Sequence, residues 1–332
     1  MSRDRGPRRL RRLDRSALIA ASMTALSLTA SGCMVVHGER EVLPASTKAE
    51  AAKALQQFTT AYNNADKAYD SSLDAEHVTG ALAAIDAARL KAGKANNPDG
   101  NAGHTPLKLS DVTYTIPKKA GWPRWFVADA AGNKGGTARW LLVFTRNGLN
   151  EPFQVAYLTL VASGNVPKFK KDADGWAEAV PANSAELAAA PEGLSKDYTT
   201  YLKSGGDTFA DGAYTSQWRT DREKAGKRPG LVTQYIDEPL TSGDYAPLAL
   251  RTANGGALVF FATHYYAKQT AAPGTSIPVT DDILAVTTGE IKQSLTMEFV
   301  SNGVALDPAK GAGDPKVSVL GRIEGMTSAQ GS

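Results

Sequence analysis

Residues 48–69 read KAEAAKALQQFTTAYNNADKAY. Apolar side chains recur there at steps of three and four, at Ala51, Ala54, Leu55, Phe58, Ala61, Tyr62 and Ala65. That is the period of a helix with one buried face. Ser46 or Thr47 stands where an N-cap is needed, and Glu50 follows Thr47 at the spacing of a capping box. A second helical stretch spans 75–91, and ANNPDGNAGHT at 95–105 is a polar loop by its Asn, Pro, Asp and Gly content. The period then changes to two. Residues 109–116, 124–128, 139–145 and 151–161 read as strands. In the last of these, Phe153, Val155, Tyr157, Thr159 and Val161 fall on one face. Asp174-Gly175 marks a tight turn before a strand at 176–180.

The same plan follows in the second half. A weaker helix covers 185–203, with Pro191 interrupting it, and a polar segment carries Tyr214 and Trp218. Strands fall at 231–236, 248–252, 257–266, 290–300 and 316–325, with a Pro/Gly/Thr-rich insertion at 270–281. Short echoes link the halves in matching order. Phe58-Thr59-Thr60 returns as Tyr198-Thr199-Thr200, and Arg89 to Lys94 returns as Arg222 to Lys227. Val112-Thr113 with Ile116 returns as Val232-Thr233 with Ile236, and Gly135-Gly136 returns as Gly255-Gly256. YLTLVASG at 157–164 returns as TMEFVSNG at 296–303. The offsets are all 120 to 140 residues, which predicts two duplicated units, 48–182 and 183–326. Helices followed by antiparallel strands make each unit α+β. The small, polar tail at 327–332 is expected to fray and be flexible.

The N-terminus has a different character. Seven arginines and two aspartates precede an uncharged run from Ser16 to Cys33. A basic region, a short apolar region and small residues before a cut are the parts of an export signal. Ala30-Ser31-Gly32-Cys33 resembles a bacterial lipobox, with alanine where that pattern most often has leucine. Residues 1–32 are therefore read as a lipoprotein signal peptide, cleaved between Gly32 and Cys33, and 33–47 as a tether. The reaction needs a cysteine because a thiolate takes the diacylglyceryl group as a thioether. Cys33 is the one cysteine of the chain, so it has no disulfide partner within it. The arginine pairs leave both the general and the twin-arginine export routes open.

Removing the signal changes the charge. The leader carries +5 of the chain's formal +3, so the remainder is −2. No basic footprint for nucleic acid is left. The 31 glycines and 17 prolines imply many turns.

Within each unit the layout resembles the NTF2-like and cystatin-like folds, in which a curved sheet wraps a long helix. Over nearly its whole mature length the chain is similar to uncharacterised lipoproteins of high-GC Gram-positive bacteria. That resemblance rests on layout and lipobox, and it implies no shared chemistry.

Four histidines, His37, His77, His104 and His264, show no zinc-site spacing, so no metal or other cofactor is expected. Lys171 to Trp176 has a faint calcium-loop look but lacks the ligands of one and reads as a turn. No G-x-S-x-G elbow or phosphate loop is present. The aromatic residues admit two readings. Trp122, Trp125 and Trp140 in the first half, and Phe260, His264 and Tyr266 in the second, would line an apolar pocket on a concave sheet face. Alternatively the aromatics are core. The functional expectation is a non-enzymatic binding or scaffolding module of the cell envelope. It would be lipid-anchored at the extracytoplasmic face of the cell membrane, with an envelope protein or small apolar ligand as partner. The alternatives are a hydrolase or isomerase with His264 as its pocket group, and a carrier of an apolar ligand.

Overall fold

A computed structural model describes residues 41–332. The expected signal peptide, its expected cut between Gly32 and Cys33, and most of the expected tether lie outside the described residues. β1 (Leu43–Pro44) leads into α1 (Lys48–Ala68), whose start is the capping box expected from the sequence. The Glu50 amide donates to Thr47 Oγ1 at 3.1 Å, and Glu50 Oε2 accepts from the Thr47 amide at 2.8 Å. α1 ends where Tyr69 turns left-handed, at φ 52°. Its stripe of Ala51, Ala54, Leu55, Phe58, Ala61 and Ala65 is buried, as the period predicted.

The second helix, α2 (Gly80–Asn96), starts five residues later than expected. Residues before it are drawn away from helical geometry. Val78 bridges Val155, and Thr79 Oγ1 donates to the Asp244 carboxylate at 2.5 Å. Gly80 sits at φ +54°, and a Cβ there would lie 2.5 Å from the Asp244 carbonyl oxygen. A contact 165 residues away in sequence thus decides where α2 begins.

Strands β2 (Leu109–Thr115), β4 (Arg124–Gly132), β5 (Ala138–Arg146) and β6 (Gln154–Ala162) form an antiparallel sheet in the order β2-β4-β5-β6. β3 (Pro117–Lys119) instead joins β1 and β7 (Ala177–Glu178) in a small sheet. One face of the four-stranded sheet packs on α1. Phe126 and Phe144, cross-strand partners, stack 4.8 Å apart, and Phe58 meets Phe144 edge-on at 6.0 Å. Each such buried ring contributes about 1.5–3 kcal/mol. The single-face reading of β6 needs correcting. The register jumps from Val143↔Tyr157 to Phe144↔Val155, which leaves Ala156 as a bulge. Phe153 and Val155 therefore enter the core beneath α1, whereas Ala156, Tyr157 and Val161 enter the core on the other face.

In the second half, a 3-10 turn at Pro191–Gly193 runs into α3 (Leu194–Ser204), shorter than expected and starting where proline permits. The polar segment around Trp218 is α4 (Ser216–Gly226), which periodicity did not reveal because Arg222 is its one buried residue. β8 (Lys227–Arg228), β9 (Leu231–Leu240), β10 (Leu248–Arg251), β11 (Ala257–Ala271), α5 (Asp281–Val286), β12 (Thr287–Thr288), β13 (Ser294–Asp307) and β14 (Ser318–Gly331) complete the chain. The larger sheet has the order β12-β14-β13-β11-β9-β8, with β10 also on β11. The tail is no frayed end. Residues 327–331 belong to β14, and Ser332 closes the strand through backbone bonds with Ser294 and Gln293.

The two sheets share a core. Trp125, Val127, Leu141, Val143 and Tyr157 from the smaller sheet meet Leu258, Phe260, Ala262, Val300 and Val304 from the larger. The opposite face of the larger sheet is covered by α3, where Tyr198 meets Phe261 edge-on at 5.4 Å. Residues 42–332 accordingly form one compact unit. The sheets approach closely at Gly321, where a Cβ would lie 2.5 Å from the Leu160 carbonyl oxygen.

Candidate functional site

His264 lies on β11 opposite Glu238 of β9, two residues before Tyr266, which faces Glu298 of β13. Strand pleating puts these side chains on one sheet face. His264 Nε2 lies 2.7 Å from Glu298 Oε1, and Nδ1 lies 3.4 Å from Glu238 Oε2. Glu298 Oε2 also accepts from the Ser328 hydroxyl at 2.6 Å, and the Tyr266 ring meets the imidazole edge-on at 4.5 Å. Desolvation first, then Glu298 and Glu238, hold the Tyr266 hydroxyl above its ordinary pKa. A general base needs a ring nitrogen within reach of a substrate proton. Here both nitrogens face carboxylates. The arrangement is a polar clamp across three strands.

The other pocket residues are dispersed. Trp140 packs beneath α1, with its indole Nε1 donating to the Lys134 carbonyl at 2.9 Å. Trp125 and Phe260 are buried together in the core between the sheets. Trp122 is half-buried at the end of the smaller sheet, its ring 5.8 Å from the Arg124 guanidinium and 5.9 Å from that of Arg146. Surface cavities of about 390, 510, 300 and 190 Å³ occur among the described residues, and none of the six residues lines them. Among the described residues there is also no group of three His, Cys, Asp or Glu arranged to hold a metal.

Two polar centres went unread in the sequence. The first lies between α1 and α2. Arg89 donates to Asp66 at 2.6 Å and to Asp86 at 2.7 Å, and His104 Nδ1 meets Asp66 at 2.8 Å. Burial works to raise the Asp66 pKa, and the bonds from Arg89 and His104 reverse that and hold it low. Asp74, almost fully buried, is pushed up to about 8 by burial and by the neighbouring Asp86. A signal was present: Phe58, Tyr62 and Asp66 succeed one another at steps of four, as do Leu82 and Asp86, so these carboxylates are in phase with buried faces.

The second centre docks α4. Arg222 donates to both oxygens of Asp237 at 2.8 Å. Its guanidinium lies 4.6 Å from the Tyr235 ring, 4.5 Å from Tyr265 and 5.1 Å from Trp218. Arg322 stands 4.8 Å from the same indole and 2.6 Å from Glu324. Both centres neutralise buried charge by pairing it, and neither places a nucleophile beside a base.

Residues 42–331 match a family described as a domain of unknown function, DUF8094. The chain belongs to the DUF8094 family. It is 72% identical, over the full length of both chains, to the uncharacterized lipoprotein SCO2278 of Streptomyces coelicolor. It is 61% identical, again over both full lengths, to an uncharacterized lipoprotein of Streptomyces avermitilis. A second Streptomyces coelicolor protein, uncharacterized lipoprotein SCO6871, is 31% identical over 216 residues, 61% of this chain and 59% of that one. No solved structure matches. The likeness of this DUF8094 chain to lipoproteins implies a membrane lipid anchor, and no helix among its described residues is long and apolar enough to cross a membrane.

Proposed function

We propose that this protein is an extracytoplasmic lipoprotein, cut before Cys33 and held to the membrane by lipid on that residue, that binds or scaffolds a protein of the cell envelope. The observation that carries the reading is the full-length likeness to lipoproteins in a chain whose Ala30-Ser31-Gly32-Cys33 has the form of a lipobox. Binding is favoured over chemistry because the clamped His264 has a carboxylate at each ring nitrogen. A protein partner is favoured over an apolar ligand because Phe58, Phe126, Phe144 and Phe153 fill the space between α1 and its sheet.

The reading includes two duplicated NTF2-like units at 48–182 and 183–326. Helices precede antiparallel strands in each half, and the sequence echoes set β2, β5 and β6 against β9, β11 and β13, with β11 beside β13 as β5 is beside β6. The halves differ in strand order, and β14, beyond β13, has no counterpart beyond β6. β9 pairs directly with β11, alongside the short β10, where β4 separates β2 from β5 in the first half. Affinity capture of the lipidated protein from detergent-solubilised membranes, after cross-linking in intact cells, tests the function. A saturable, stoichiometric envelope partner is expected; capture of none across detergents and cross-linkers overturns it.

A further inference from the structure

Three of the seven large apolar side chains that stand exposed among the described residues are gathered at one end of the smaller sheet. Val42, just before β1, is 63% exposed and Leu43, in β1, 44%; Leu149 is 75% exposed in the loop after β5. They are at one end because their supports are linked. Arg124 and Arg146 are cross-strand partners where β4 begins and β5 ends. Arg124 Nη1 donates to the Leu43 carbonyl at 3.2 Å and also to the Lys119 carbonyl. Arg146 leans over the Phe153 ring at 4.4 Å and beside Trp122 at 5.9 Å. Leu149 follows Arg146 by three residues. Lys119 donates to the Pro123 carbonyl at 2.6 Å.

The end therefore presents Val42, Leu43, Leu149 and the half-buried Trp122 around three cations. Carboxylates are present too: Glu50 lies 3.9 Å from Arg146, Glu151 is in the Leu149 loop, and Asp172 and Asp174 pair Lys118. The mixed charge makes apolar insertion, not electrostatic attraction, the organising feature. Trp with Arg and Lys beside exposed aliphatic side chains suits the boundary between lipid headgroups and acyl chains.

The chain itself argues which surface covers this end. Cys33 precedes Val42 by nine residues. A stretch of that length reaches at most about 30 Å when fully extended. We propose that the Val42–Leu43–Trp122–Leu149 end of the domain rests on the same bilayer that holds the lipid of Cys33, with these side chains at headgroup depth. This rests on the anchor reading above. It orients the domain: α2 starts near this end, through Thr79–Asp244 and Asn147–Asp244, and finishes at Asn96, which bonds Asp282 of α5 at 2.7 Å. A helix of 17 residues is about 25 Å long, so Leu284 of α5, 51% exposed, lies by the opposite end of α2 from the docking residues.

The test uses mature lipidated protein reconstituted into vesicles of phosphatidylcholine and phosphatidylglycerol. Because acylation blocks Cys33, a fluorescent probe goes only to an added cysteine, in Leu149→Cys or in Leu284→Cys; both sites are exposed, so folding is preserved. The expected result is a blue-shifted probe at 149, quenched at least threefold more than the probe at 284 by lipids carrying a quencher near the headgroup. Equal quenching at the two sites, or stronger quenching at 284, overturns the proposal. The mass of the N-terminal peptide and co-flotation with vesicles report the anchor separately. Flotation with equal quenching sinks the docking face alone, and an unlipidated N-terminus sinks the anchor reading.

Discussion

The guanidinium of Arg222 lies 4.5 Å from the Tyr265 ring while its Nη1 binds both oxygens of Asp237 at 2.8 Å. One arginine thus joins α4 to the larger sheet. Removing it leaves Asp237 buried without a counter-charge. Arg222→Ala is expected to cost about 3–5 kcal/mol, whereas Arg222→Met with Asp237→Leu is expected to come close to wild type. Denaturant melts of the two variants measure the difference.

At Gly321 of β14 the backbone of the larger sheet runs close against β6 of the smaller one. A Cβ there would lie 2.5 Å from a backbone oxygen of Leu160, and backbone yields less readily than a side-chain tip. Gly321→Ala is expected to destabilise by about 1–3 kcal/mol, the usual cost of overpacking. Since the core is shared between the halves, calorimetry is expected to show the loss in a single transition. Two transitions, only one of them shifted, would contradict that coupling.

Asp74 makes stability depend on pH. Its carboxyl is pushed up to about 8 beside Asp86, so the folded state holds a proton that the unfolded chain releases near pH 4. The stabilisation is complete below pH 4 and is lost as pH rises toward 8. Asp66, held low by Arg89 and His104, acts in the opposite sense at acid pH. Asp74→Asn is expected to gain on the order of 1 kcal/mol over wild type at pH 8, allowing for solvent screening, and to match it at pH 4. Thermal melts across this range check the slope.

Cys33→Ala is expected to abolish lipid labelling and to move the protein from the membrane fraction to the medium, or to leave it unprocessed. Normal membrane retention of that variant without lipid would contradict the anchor. Fractionation with a radiolabelled fatty acid reads both outcomes.

Local chemistry was sufficient for α1, because its cap and its apolar period lie within some twenty consecutive residues. The same holds for the α+β class, since a change of period from helix to strand is visible without knowing any contact. The resemblance of Ala30-Ser31-Gly32-Cys33 to a lipobox is likewise read from a local pattern. Which face a strand residue serves was not legible. Trp125 and Phe126 are neighbours, yet they enter different cores because both faces of β4 are covered, and alternation says nothing when both phases are apolar. The bulge at Ala156 then exchanged faces within β6. The start of α2 was set by Asp244, the docking of α4 by Asp237, and the order of the last residues by the edge of β13. In each case the deciding atom lies far along the chain or across a sheet. The aromatic residues were visible as a group from composition alone, but only the packing of one sheet on another separated core from clamp and surface.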